Sequence, residues 1–438
     1  MQHKRRKFLR IAGLTGLGLS GGSITNSFAH LMGISNTQQA SVSNDKMMDT
    51  ENHKGMDGAQ QSLIGLYGSW AAGLTAGRLP SFSYRHEKWK NIEEWRKAAR
   101  QQLEDRLSIP VIEGFPEVTL KKQLEYDGLH IEEISWKLPY GRPTEAIVLK
   151  PMNVKGRLPG ILAFHDHGGN KYLGTRKITR ISDQQNSVDV AHQQESYEGT
   201  AWANEIAKRG YVVMVSDAFP FASRRVLLQD VPGHLRNGLN DNDPENPQNI
   251  KAYNQWAAEH EHVMAKSLFS AGTTWPGVFF AEDRKALDVL CARKDVDASR
   301  IGCGGLSGGG MRTVFMGGLD ERIKCAVCVG FMTTWKDFLL NKSFTHTWMT
   351  YVPLLPNELD FPEILGLRAP LPTMVLNDID DGLYTLPEMK HADEILREVY
   401  HKAGAQNHYQ CNYYPGPHKF DKKMQQDAFA WFDRWLKG

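Results

Sequence analysis

Three residue types that together support nucleophilic catalysis occur in a fixed order along the chain. Ser307 is the centre of GLSGG at 305–309, which fits the G-x-S-x-G pattern of a nucleophile on a sharp strand-to-helix turn. An acidic loop follows at 378–381, and His418 follows that loop in the sequence YPGPH. A serine hydroxyl is a poor nucleophile at neutral pH unless a base, such as a histidine oriented by a carboxylate, accepts its proton. This order therefore predicts acyl transfer through Ser307, with His418 as the base.

The acidic partner of His418 has more than one candidate. Residues 373–385 read TMVLNDIDDGLYT, in which a buried strand ends in a loop containing Asp378, Asp380 and Asp381. Asp381 stands four residues beyond Asn377, at the end of the strand. We therefore predict that Asp381 orients His418, with Asp380 as the next alternative. The other acids of the loop are interpreted as ordinary solvated side chains.

A second glycine-rich loop is a candidate oxyanion site. The sequence HDHGG at 165–169 follows the apolar run 160–164, and loops of this kind supply a backbone N–H to a developing oxyanion. We predict the N–H of His167 as one donor and that of Gly308, directly after the nucleophile, as the other. Two histidines and an aspartate also suggest zinc, but a catalytic zinc needs three protein ligands and an open position. No H-E-x-x-H or comparable pair occurs elsewhere, so we predict no metal and no cofactor.

Two further groups of chemically active residues are interpreted as structural. Cys325 and Cys328 lie within a predicted strand, where residues three apart point to opposite faces, so we predict core cysteines rather than a redox pair. The histidines and acids of the stretch 259–262 are interpreted as a solvated helix face rather than as ligands.

Apolar strands alternate with helices over most of the chain. We predict strands near 130–138, 145–151, 160–164, 211–215, 300–304, 323–329, 373–377 and 409–414. Predicted helices lie near 87–107, 199–209, 278–293, 309–318, 387–402 and 422–437. This alternation is typical of an α/β fold with a mostly parallel sheet covered by helices on both faces, and the early strands without intervening helices predict an antiparallel edge.

The N-terminal segment is predicted to be an export signal. Residues 1–29 combine a cationic start, Lys4-Arg5-Arg6-Lys7, with a short apolar stretch, and the paired arginines resemble a twin-arginine signal. We expect export to a bacterial periplasm, with no stable membrane anchor after cleavage. We predict three further segments: a polar linker at 30–60, a helical N-terminal cap at 61–115, and a catalytic domain at 116–438 with a lid-like insertion at 218–275.

Composition excludes some classes of partner. The chain has 438 residues, and 52 basic and 50 acidic side chains leave a formal net charge of +2. This balance provides no electrostatic attraction for nucleic acid, so we expect none as a partner. The five cysteines are an odd number in a long chain, which is not the pattern of a disulfide framework. Composition gives no indication of oligomeric state.

The motifs taken together resemble a known superfamily. From about Leu79 to the C-terminus, the chain is similar to α/β-hydrolases of the dienelactone-hydrolase-like and acetyl-xylan-esterase-like branch. The sequences that carry the resemblance are HDHGG at 165–169, SDAF at 216–219, TWPG at 274–277, GLSGG at 305–309 and PGPH at 415–418. The resemblance implies a sheet of about eight strands, ester hydrolysis without a cofactor, and a triad of Ser307, Asp381 and His418. The three aspartates of the acidic loop depart from the pattern and leave the triad acid less sharply assigned.

The leading hypothesis is a carboxylic-ester hydrolase for a small-molecule or carbohydrate ester, such as an acetylated glycan. Four tryptophans could stack on sugar rings or pack in the core: Trp202, Trp256, Trp275 and Trp348. Alternatives are a serine peptidase, a dienelactone-type hydrolase and an acyltransferase. A peptidase of the prolyl-oligopeptidase type normally carries a propeller, for which the segment before the strands is too short. A hydrolase-like binding protein usually lacks a triad member, whereas this chain retains all three residue types.

Overall fold

The computed structural model describes residues 62–75 and 78–438. The signal peptide predicted at 1–29 and the linker predicted at 30–60 lie outside the described residues. Among the described residues, no helix has the length and the apolar character that crossing a bilayer requires.

The described residues form one nine-stranded sheet, one strand more than the sequence predicts. The strands are β1 (Thr119–Tyr126), β2 (Leu129–Trp136), β3 (Thr144–Pro151), β4 (Leu158–Phe164), β5 (Val212–Ser216), β6 (Val296–Leu306), β7 (Ile323–Val329), β8 (Thr373–Asp378) and β9 (Tyr409–Tyr414). Their order is β1-β2-β3-β5-β4-β6-β7-β8-β9. The pairs from β1 to β3 and the pair β3–β5 are antiparallel, and all other pairs are parallel. The predicted parallel sheet with an antiparallel edge is therefore confirmed.

Twelve α-helical segments accompany the sheet within the described residues. They are α1 (Tyr67–Gly73), α2 (Ile92–Leu107), α3 (Ser187–Tyr197), α4 (Trp202–Lys208), α5 (Pro247–Glu259), α6 (Glu261–Ser270), α7 (Trp275–Ala292), α8 (Gly308–Leu319), α9 (Trp335–Asp337), α10 (Phe361–Gly366), α11 (Leu386–Lys402) and α12 (Lys422–Leu436). Helix α9 continues into a π-helical turn, Phe338–Lys342. Helix α2 buries one stripe of residues spaced by four: Trp95, Ala99, Leu103 and Leu107.

Each face of the sheet has its own hydrophobic core. Along β4, Leu162 and Phe164 belong to one core, whereas Ile161 and Ala163 belong to the other, as the two-residue period of a strand requires. The first core includes buried residues of α2, α7, α8, α10 and α11, and the second includes those of α4 and α12. Cys325 and Cys328 of β7 are buried in opposite cores, which confirms their interpretation as core cysteines. Because strands β4 to β9 are parallel, their carboxyl ends lie at one edge of the sheet, where the connecting loops can meet.

Candidate active site

Ser307 lies on the sharp turn that joins β6 to α8. Its backbone has φ 59° and ψ −115°, a positive φ that is strained for a residue with a side chain. Ser307 N donates a hydrogen bond to Val329 O at 2.8 Å, and Met311 N donates to Ser307 O at 2.9 Å. The turn is thus held between the end of β7 and the first turn of α8. This is the local structure that the G-x-S-x-G pattern predicts.

Two glycines beside Ser307 permit a close backbone approach. A Cβ atom on Gly305 would lie 2.3 Å from Phe164 O, and a Cβ atom on Gly309 would lie 2.5 Å from the same oxygen. Both distances are far inside van der Waals contact, so the end of β4 can reach the turn only if both positions lack a side chain. The loop that follows β4 contains the predicted oxyanion donor, and the two glycines allow that loop to lie beside Ser307.

His418 and Asp381 form the pair that the sequence predicts. His418 Nδ1 lies 2.6 Å from Asp381 Oδ2, and the carboxylate also accepts a hydrogen bond from Leu383 N at 2.8 Å. The Asp381 side chain is fully buried. Burial alone would lower the pKa of His418, but the hydrogen bond and charge of Asp381 raise it above its ordinary value. With Nδ1 bound to Asp381, the buried Nε2 is the ring nitrogen left to act as a base.

The other two aspartates of the acidic loop bind the backbone around His418. Asp380 Oδ2 accepts a hydrogen bond from Gly416 N at 2.9 Å, and Asp378 Oδ2 accepts one from Lys419 N at 3.1 Å. Asp380 is exposed, but Asp378 is buried, and burial raises its pKa to about 7. The interpretation of Asp378 as a solvated acid was therefore wrong, because it ends β8 inside the fold. Both carboxylates therefore stabilise the backbone of the loop that contains His418.

The two predicted oxyanion donors lie side by side. A Cβ atom on Gly308 would lie 3.0 Å from His167 N, so the backbone of the loop at 165–169 runs directly against the residue after the nucleophile. Among the described residues, neither amide donates a hydrogen bond to the protein. Unpaired N–H groups beside a serine nucleophile are the arrangement that stabilises a tetrahedral oxyanion.

These groups share one cavity of ≈ 410 Å³. Ser307, His418, Gly308 and His167 all line it. Apolar side chains form much of the remaining wall: Phe221, Phe279, Met311, Phe331, Met349 and Leu383. The volume lies in the range of small-molecule sites, and the mixture of apolar walls with a few polar groups is typical of them.

Solved structures with the same architecture extend along most of the chain. The crystal structure of a "putative acetyl xylan esterase" from Bacteroides fragilis NCTC 9343 has a TM-score of 0.58 at 19% identity, over 79% of this chain and 81% of that chain. A glucuronoyl esterase from Solibacter usitatus has a TM-score of 0.53 at 14% identity, over 83% of this chain and 98% of that chain. The chain has the α/β-hydrolase fold. The expected resemblance is thus confirmed at the level of the fold.

The chain is also similar in sequence to a protein named as a hydrolase. A protein of Bacillus subtilis (strain 168) named "Putative hydrolase YtaP" is 24% identical over 294 residues, which are 66% of this chain and 83% of that protein. No protein-family profile matches the chain.

Glu261 lines the cavity, although the sequence pattern around it predicts a solvated helix face. Glu261 is buried on α6, within the predicted insertion, and its Oε1 lies 2.9 Å from His167 Nε2 and 2.5 Å from Lys171 Nζ. Its Oε2 accepts hydrogen bonds from Thr347 Oγ1 at 2.7 Å and Trp348 N at 3.1 Å. Burial alone would raise the pKa of Glu261, but the bond to His167 and the nearby charges hold it below its ordinary range. One carboxylate thus connects the predicted insertion to the loop at 165–169 and to the segment after β7.

The tryptophans do not form a sugar-stacking wall in this cavity. Trp202 and Trp275 are buried in the two cores beside the sheet, and Trp256 is buried in a separate apolar cluster within the predicted insertion. Trp348 is 44% exposed and does not line the cavity, although its neighbours Thr347 and Met349 do. Packing in the cores or in the insertion therefore accounts for the first three.

Proposed function

We propose that this chain is a serine carboxylic-ester hydrolase in which Ser307, His418 and Asp381 act as the catalytic triad. The observation that carries the proposal is the meeting, in one cavity, of a strained serine turn, a histidine paired at 2.6 Å with a buried aspartate, and two adjacent free amides. A protein that has this fold but only binds ligands does not require all of these catalytic groups.

Acylation follows from the positions of these groups. His418 Nε2 takes the proton of Ser307 Oγ as that oxygen attacks the ester carbonyl carbon. The carbonyl oxygen becomes an oxyanion that accepts hydrogen bonds from the N–H groups of Gly308 and His167. When the bond between carbon and the leaving oxygen breaks, His418 gives the proton to the departing alcohol. Asp381 holds the imidazole tautomer and stabilises the imidazolium throughout.

Deacylation repeats these steps with water. A water molecule loses a proton to His418 Nε2 and attacks the carbonyl carbon of the acyl-Ser307 ester. The second oxyanion uses the same two amides, and its collapse returns the proton to Ser307 Oγ and releases the carboxylic acid. The strained backbone of Ser307 keeps its side chain at the cavity through both half-reactions.

We further propose short-acyl carbohydrate esters as the substrate class. The acetyl xylan esterase and the glucuronoyl esterase named above share this fold, which favours esters of sugars. A cavity of ≈ 410 Å³ must hold both the acyl group and part of the alcohol, which favours a small acyl group.

A panel of 4-nitrophenyl acetate, butyrate and octanoate tests this proposal. We expect kcat/KM to be highest for the acetate and to fall as the acyl chain lengthens, because the cavity leaves little room for a longer chain. Acetate release from acetylated xylan oligosaccharides is then measured by ion chromatography. Preference for octanoate would contradict the short-acyl assignment, and cleavage of peptide anilides in place of esters would favour a peptidase.

The pH dependence of kcat/KM reports the protonation state of His418. The base must be neutral, and its contacts raise its pKa above the ordinary value of 6.5. We therefore expect kcat/KM to fall as pH decreases, with the midpoint of this acid limb above 6.5 and a loss of about tenfold for each further pH unit. Initial rates from pH 5 to 9 on the acetate measure it. An activity that stays constant down to pH 5 would argue against a histidine base.

We also propose export through the signal at residues 1–29. Replacing Arg5 and Arg6 together by lysine should keep the full-length protein in the cytoplasm, because the charge remains but the paired arginines are lost. Fractionation of a bacterial host followed by immunoblotting measures this. Equal periplasmic amounts of the wild type and the double variant would contradict twin-arginine export.

A further inference from the structure

Lys177 is a buried cation beside the oxyanion loop, which we define as residues 165–169. Its side chain is 0% exposed, and its Nζ donates hydrogen bonds to Asp166 O at 2.7 Å and to His167 O at 2.8 Å. Burial lowers the pKa of Lys177 to about 8, although the charge of Asp166 acts in the opposite direction. Removing an ammonium group from water costs several kcal/mol, so its contacts with the loop must compensate for this cost.

The contact with Asp166 O fixes the direction of the neighbouring amide. The carbonyl of Asp166 and the N–H of His167 belong to one planar trans peptide unit, in which they point in opposite directions. Since Lys177 Nζ binds the carbonyl on one side, the His167 N–H must point to the other side. Gly308 lies close to this amide, since a Cβ atom on Gly308 would be 3.0 Å from His167 N.

The side chain of Asp166 is anchored as well. Its Oδ1 accepts hydrogen bonds from Tyr197 Oη at 2.5 Å and from His192 Nε2 at 3.0 Å. All three side chains are buried. These bonds keep the loop in place but do not restrain rotation of the peptide between Asp166 and His167. Two side chains oppose that rotation by binding Asp166 O: Lys177 through Nζ at 2.7 Å and His165 through Nδ1 at 3.0 Å. The bond from Lys177 is the shorter of the two and is charge-assisted.

We propose that Lys177 is a positioning residue that keeps the His167 N–H directed at the oxyanion formed during acyl transfer. This inference rests on the proposed function of Ser307. Without the Lys177 donors, only the bond from His165 holds this carbonyl, so the peptide rotates more easily and can place the Asp166 carbonyl oxygen where the oxyanion must form. A partial negative charge would then face the developing negative charge, and one oxyanion donor would be lost.

Lys177→Met tests the proposal, because it keeps most of the length of the side chain and removes the donors. We expect kcat to fall by at least about tenfold and by at most about 10²–10³-fold, the effect of losing one oxyanion donor completely, while KM changes little. The inhibition constant of a trifluoromethyl ketone, which adds to Ser307 as a tetrahedral oxyanion, should rise by a similar factor. Thermal unfolding checks the fold of the variant, and Lys177→Leu, which also lacks a donor, replaces it if the methionine variant does not fold.

Lys285→Met is the matched control. Lys285 is also a buried lysine that donates to a backbone carbonyl, Gly114 O, at 2.5 Å, but this carbonyl lies outside the loop at 165–169. This variant should retain the kcat and inhibition constant of the wild type.

The outcomes separate this inference from the proposed function. A wild type that labels at Ser307 and hydrolyses esters, combined with a Lys177→Met variant of unchanged kcat, overturns the role of Lys177 alone. A loss confined to KM, with the inhibition constant unchanged, also overturns it. A wild type that hydrolyses no ester and takes up no label at Ser307 removes both proposals.

Discussion

Replacing Ser307 by alanine should lower kcat for 4-nitrophenyl acetate by about 10⁴–10⁶-fold, because the variant cannot form the acyl-enzyme. This factor corresponds to about 5–8 kcal/mol of activation free energy. KM should change little, since the hydroxyl contributes little to the wall of the cavity. Initial rates at saturating substrate measure the effect, with the background hydrolysis of the ester subtracted.

Ser299→Ala is the control for Ser307→Ala. Ser299 lies on the same strand, β6, but it is exposed and its Oγ donates to Asp297 at 2.6 Å. This variant should hydrolyse the ester at the wild-type rate. If Ser307→Ala kept more than a tenth of wild-type kcat, the nucleophile would have to be a different residue.

Replacing Asp381 by asparagine should lower kcat by about 10⁴-fold. The asparagine side chain nearly matches the shape of the aspartate, but its amide can donate to His418 Nδ1 and so favours the wrong tautomer. The proton would then sit on Nε2, which could no longer accept the proton of Ser307. The acid limb of the pH profile should also move to lower pH, because the contact that raises the pKa of His418 is lost.

Asp380→Asn is the matched control in the same loop. Asp380 is exposed and accepts from Gly416 N, a bond that asparagine can also accept. We expect a change in kcat of no more than about threefold, the scale of a surface substitution. A large loss of kcat in Asp380→Asn combined with a small loss in Asp381→Asn would show that Asp380, and not Asp381, orients His418.

The sequence predicts most of the parallel part of the sheet because apolar strands there alternate with amphipathic helices. Strands β7 and β9 begin and end where the pattern places them, and the turn at Ser307 follows from its five-residue motif. Strand β1 was not predicted, because its side chains are mostly exposed and polar and therefore show no hydrophobic alternation. Helices α5 and α6 lie inside the predicted insertion, where no strand alternates with them.

The surroundings of the candidate site could not be predicted from sequence, because its supporting contacts join distant residues. Asp166 meets Lys177, His192 and Tyr197 at separations of 11, 26 and 31 residues. A lysine and a glutamate normally favour solvent, so nothing local indicates that Lys177 and Glu261 are buried. The available signal was that Lys177 follows the glycine-rich sequence HDHGG, because a polar side chain after such a loop can bind its carbonyl groups.

Peptide mapping after labelling with a fluorophosphonate tests the central claim most directly. Such reagents transfer a phosphonyl group to an activated serine oxygen and release fluoride, so the adduct marks the nucleophile itself. We predict one adduct for each chain, located on Ser307 by tandem mass spectrometry, with loss of esterase activity in proportion to labelling. Ester hydrolysis that persists in fully labelled protein, or an adduct located on a residue other than Ser307, would contradict the account.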